Sequence, residues 1–171
     1  MPEQLNLIPF QSYLNDVVLW IHLCAAAFFV GGSFFFWLVI VPASRNITTD
    51  ESERTQIIGT IAKAFGRIIN PTLAVIVLTG IYNASWYVNS WQDILVYPGT
   101  ILLTKVIVVI LLLILIYIHN VYFGKRIIAF ARERNLEALK KIRKTSRKIS
   151  AVNLILMATI FLMAVLMQMP P

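Results

Sequence analysis

Apolar positions are grouped into long stretches separated by three polar ones, and this pattern predicts helices over 17–43, 64–86, 100–123 and 149–169. A helix needs about 20 apolar residues to cross a bilayer core, and each stretch approaches or exceeds that length. The second is interrupted by Asn70, Pro71 and Asn83. Its cytoplasmic half is expected to start earlier, within the polar segment Asn46–Glu53, and to run through Gln56–Arg67. There Thr48 can act as a cap, with Glu51 three residues later. A proline inside a helix removes one backbone bond, so Pro71 is expected to kink this element. Pro98 and Gly99 break the chain before the third helix. The expected fold class is therefore all-α: a four-helix transmembrane bundle forming a single domain over residues 1–171.

The polar stretches set the orientation. Ten of the 15 Lys and Arg residues lie between Gly124 and Lys148, and Arg45, Arg54, Lys63 and Arg67 fall in or after the first connection. The N-terminal segment, the Tyr87–Gly99 connection and the C-terminus carry none. Positive charge collects on the cytoplasmic side of membrane proteins. Both termini are therefore expected outside, with the two basic connections in the cytoplasm. Trp86, Tyr87 and Trp91 would mark the outer aromatic belt. The basic segment is rich in helix formers and is expected to extend the third and fourth helices into a cytoplasmic hairpin, 124–148, turning near Asn135. Its charged face is expected to be solvated. Anionic lipid headgroups are the natural partner of this charge, and its clustering beside membrane spans argues against nucleic acid.

Composition narrows the class further. The chain is 58% hydrophobic, with a mean hydropathy of +0.76. The first apolar run is too long for a signal peptide, and no Lys or Arg precedes it. The single cysteine, Cys24, excludes an internal disulfide and a multi-cysteine zinc site. Phosphate-loop, nucleophile-elbow and HExxH motifs are absent from the sequence. In the first helix, Ala27 and Gly31 form a small-residue pair of the kind that lets a neighbouring helix approach closely.

Ionisable groups at bilayer depth are costly and hence candidates for function. Here they are His22, Lys105 and His119. At about 1.5 Å per residue, His22 and Lys105 each lie roughly 8 Å below the outer surface, whereas His119 lies roughly 28 Å down. His22 and Lys105 can meet across the bundle, and Lys105 is expected to face the first helix and to have a polar or anionic partner. His22 and His119 are too far apart in depth to share one small ligand. For His119, a simple hydrogen bond to a neighbouring helix competes with any binding role. Met163 and Met167, one turn apart on the fourth helix, offer soft thioether donors suited to Cu(I). Methionines at this spacing also fill cores.

Several stretches resemble the copper resistance D family of integral membrane proteins: TrpIleHisLeu at 20–23 with AlaAlaAla at 25–27 and GlyGly at 31–32, LeuThrGly at 78–80, and ProGlyThrIleLeuLeuThrLys at 98–105. The same helices resemble the HemJ type of protoporphyrinogen oxidase, a four-helix haem b protein. Its recurring His, Pro, Lys and His would fall on His22, Pro71, Lys105 and His119. The first resemblance implies copper binding or passage at an outer-leaflet site on His22, aided by Met163 and Met167. The second implies a haem b oxidoreductase, with His22 as axial ligand, Lys105 pairing a porphyrin propionate and His119 among the cofactor-binding residues. A non-catalytic subunit of a larger membrane complex, or of a homo-oligomer, is the third reading.

Overall fold

A computed structural model describes residues 4–86, 90–96 and 99–167. Helix α1 spans Gln4–Phe35 and passes into a π segment, Phe36–Ile40, and short turns ending at Asn46. The widening sits just before Pro42, whose ring displaces the carbonyl four residues back and which donates no N–H. Helix α2 covers Glu51–Ala84 and runs unbroken through Pro71. Helix α3 covers Gly99–Ile118 and continues through a second π segment, His119–Gly124, into α4, Lys125–Arg132. Helix α5 covers Leu136–Leu166. Four continuous helical rods are thus long and apolar enough to span a membrane, and the fold is an all-α four-helix transmembrane bundle. Tyr87, Pro98 and Met169 lie outside the described residues.

Two local expectations are corrected. The cap of α2 is Asp50 rather than Thr48: its carboxylate accepts from the amides of Ser52 and Glu53. Those two bonds, Ser52 first, hold the Asp50 carboxyl below its ordinary range. Thr48 supports the cap from outside, accepting from the Asp50 amide and donating to the Glu53 carboxylate. The small pair Ala27 and Gly31 is exposed, and a Cβ on Gly31 would meet nothing within 4 Å. Gly32 makes the close approach instead, facing Phe65 of α2 at 3.1 Å from where its own Cβ would stand.

Helices α1 and α2 pack antiparallel, as do α3 and α5. The core is one layer to which each spanning helix contributes a side chain: Phe29, Ile69, Leu112 and Met157. Outward-facing residues such as Leu78, Ile107 and Ile155 remain more than half exposed, which suits a lipid-facing surface.

The basic hairpin is not a solvated appendage. Ala131 and Leu139 have no exposed surface. Ser52 donates to the Ala131 carbonyl, and Ile128 sits over Gly59 of α2. Arg143 of α5 donates to the Glu51 carboxylate at 2.7 Å, which ties α5 to the start of α2. The hairpin turns through Arg134, whose φ of 54° is left-handed, and closes with Asn135 N–H bonded to the Phe130 carbonyl. Asn135 then caps α5 through the Ala138 amide.

Candidate intramembrane histidine site

His22 stands two helical turns before Phe29 on α1, and Lys105 two turns before Leu112 on α3. That spacing puts both on the inward side of their helices and roughly 10 Å from the core layer, toward the end where α1 begins. His119 lies two turns beyond Leu112, so it is about as far on the other side. The core layer separates two polar tiers.

The terminal-side tier is built on His22. Its Nδ1 is 2.8 Å from Oγ1 of Thr79 on α2. Thr79 spends its single hydroxyl hydrogen on the Val75 carbonyl, 2.6 Å away. The hydroxyl can then only accept from the imidazole, which places the ring proton on Nδ1. A neutral imidazole protonated at Nδ1 carries its lone pair on Nε2. The ring can pack this closely because the neighbour is Gly80, where a Cβ would stand 3.2 Å from Cε1 of His22. The ThrGly pair singled out in the sequence is therefore the seat of the histidine.

Lys105 is half-buried and near enough to His22 for their charges to interact, as expected. The expected partner is not found: no carboxylate or hydrogen-bond acceptor meets its ammonium group among the described residues. Asn83, one turn beyond Thr79, is buried with both amide atoms unpartnered among the described residues. Met163 lies in a shallow groove with Thr100, Ile101, Thr104 and Leu166, along the α3–α5 seam. Met163 and Met167 are half-buried. Cys24 is exposed.

In the hairpin-side tier, Nε2 of His119 meets two hydroxyls of α5, Ser146 at 2.9 Å and Ser150 at 3.1 Å. Asn153, one turn further along the same face, is buried with its Oδ1 unpartnered among the described residues. His119 is thus an interhelical hydrogen-bonding group, which leaves Nδ1 as its remaining nitrogen for any ligand. Ser146, Ser150 and Asn153 were not singled out in the sequence. Their spacing, one small polar residue per turn on one face where the basic segment passes into the apolar span, is the signal that could have found them.

No three His, Cys, Asp or Glu side chains converge into a metal cage among the described residues. Cu(I) asks for less, since soft and imidazole donors in small number suit it.

A bundle of four spanning helices with imidazoles turned inward defines a multi-pass integral membrane protein organised around intramembrane polar groups. The copper resistance protein D family matches residues 59–167, more than half of the chain, and the chain belongs to that family. It is a copper-resistance-related membrane protein. The match takes in Lys105, His119, Met163 and Met167, and with them the basic hairpin and the fourth spanning helix, which carried no resemblance in the sequence motifs. It begins after α1, so His22 lies outside it. No curated protein and no solved structure matches the chain.

Proposed function

We propose that the chain binds copper as Cu(I) in the terminal-side half of the bundle, with Nε2 of His22 as the anchoring donor and the thioethers of Met163 and Met167 as the soft donors that recruit it. The observation that carries this reading is the Thr79 hydroxyl. Its proton goes to Val75, so it directs the His22 proton to Nδ1 and frees Nε2. Metal-binding histidines are characteristically oriented by such a bond at the other ring nitrogen. Membership of the copper resistance protein D family supports the choice of metal. The test is titration of the purified protein with Cu(I) against a competing chelator. One equivalent should bind, His22→Ala should abolish binding, and Met163→Leu with Met167→Leu should weaken it. Undiminished binding by His22→Ala overturns the reading.

One observation favours a second reading. The Lys105 charge beside His22 disfavours a bare cation and favours a ligand that brings its own negative charge. Haem b would do so, with His22 as axial ligand and Lys105 against a propionate. When bound it would supply one-electron chemistry. A haem absorption band in protein from its native membrane selects this reading. Such a band should disappear in His22→Ala and survive the paired methionine substitution. Absence of both ligands leaves the complex-subunit reading.

A further inference from the structure

We propose that the groove between α4 and α5 is a binding site for one anionic phospholipid. The groove has a volume of about 340 Å³ and lies where the third spanning helix leaves the apolar band. Phe123, Phe130 and Ile142 contribute apolar surface, and Arg126 and Lys141 bring positive charge from the two facing helices. No acidic residue lines it.

Three features fit a phospholipid in particular. First, Arg126 is pre-positioned: its guanidinium lies 4.4 Å from the centroid of the Tyr122 ring. That stacking limits side-chain freedom and leaves the donor fork for a phosphate. Second, neither Arg126 nor Lys141 has an ion-pair partner among the described residues. Glu137, one turn from Lys141, does not reach it, while the nearby acids Asp50 and Glu51 are engaged by Arg134 and Arg143. Third, the groove is continuous with an exposed apolar strip. Ile114, Ile118 and Tyr122 follow one another at one-turn spacing up α3 and its π segment, all partly exposed. An acyl chain lying on Ile114 and Ile118 brings its headgroup to Tyr122 and Arg126. A free phosphate would use the basic pair but not the strip. This site does not depend on the copper reading, since it lies on the other side of the core layer from His22.

The experiment is native mass spectrometry of the delipidated full chain in non-ionic detergent, titrated with phosphatidylglycerol or phosphatidylcholine. One phosphatidylglycerol should be retained in preference to phosphatidylcholine. A basic residue near a membrane surface contributes about fivefold to anionic lipid binding, so Lys141→Gln should weaken retention about fivefold and Arg126→Gln with Lys141→Gln about thirtyfold. Arg45→Gln with Lys63→Gln, which removes equal charge elsewhere, should change it little. The single and double variants form a graded pair, so a folding defect in the double does not hide the result. Equal retention of the two lipids overturns the proposal, as does an equal loss in the Arg45 and Lys63 control. Displacement of the lipid by millimolar inorganic phosphate also overturns it, because the site would then be a phosphate site.

Discussion

Thr79 accepts a hydrogen bond from His22 across the α1–α2 seam, with 2.8 Å between Oγ1 and Nδ1, while donating its own proton within α2 to Val75. Losing the acceptor should release the ring to the other tautomer. In metal sites the loss of such an outer partner costs about 10–100-fold in affinity. Thr79→Val, which keeps the shape and removes the hydroxyl, should therefore weaken Cu(I) binding about tenfold or more. Thr79→Ser should keep most of it. Competition against a chromophoric Cu(I) chelator measures both, and wild-type affinity in Thr79→Val would show that the hydroxyl does not set the donor nitrogen.

His119 should behave differently. Its bonds to Ser146 and Ser150 link α3 to α5 roughly 20 Å from His22 along the bundle. Interhelical hydrogen bonds in membranes average about 0.6 kcal/mol each. His119→Ala should thus cost about 1 kcal/mol, and the double substitution Ser146→Ala with Ser150→Ala about the same. Combining all three should add little further, because they remove the same bonds. Copper affinity should stay within about twofold, since the hydrogen-bond partners of His119 all lie on the hairpin side of the core layer. Unfolding in mixed detergent micelles reads the first quantity. A loss of copper binding as deep as that of His22→Ala would move the site to the hairpin side.

The bundle was legible because lipid enforces one answer: long apolar runs must be helices, as their backbone groups have no other partners in hydrocarbon. The order of His22, Lys105 and His119 along the bundle, two on one side of the core layer and one on the other, followed from helical rise alone. What could not be read was lateral: which face of each helix meets which neighbour. Ala27 and Gly31 have the better small-residue spacing, yet Gly32 makes the contact, because the inward side of α1 is set by Phe29, three residues away. Lys105 was expected to have a partner, since burial of an unmatched charge is costly. The described residues provide none, and a site built for a ligand would break the rule in this way. The docked hairpin was hidden for a third reason. Its charge pattern reads as solvent-facing, and contacts between residues far apart in the chain, Arg143 with Glu51 and Ser52 with Ala131, reveal the buried side.

That docking gives a packing prediction. A methyl group at Gly59 would run into Cδ1 of Ile128. Alanine gains about 1 kcal/mol over glycine in helix propensity, while overpacking costs about 1–3 kcal/mol. Gly59→Ala should therefore be net destabilising in the native sequence, by about 1 kcal/mol. In an Ile128→Val background, where the clashing carbon is gone, the same change should stabilise the protein by a similar amount. Thermal unfolding of the four variants in detergent gives the coupling. Equal effects in the two backgrounds would mean that α4 does not rest on Gly59.

The last prediction concerns which way the bundle faces. Fourteen of the 15 basic residues fall in the first connection or the hairpin segment, and positive charge is retained on the cytoplasmic side. The hairpin turn should then be cytoplasmic, with His22 in the outer half of the bilayer. The test starts from Cys24→Ala, which removes the chain's single native thiol. In that background Arg134→Cys should resist an impermeant thiol reagent in intact cells and react after lysis, whereas Gln4→Cys should react in intact cells. The opposite labelling would put the His22 tier on the cytoplasmic side. A copper site there would meet the metal from within the cell, and the lipid groove beside Arg126 would face the outer leaflet.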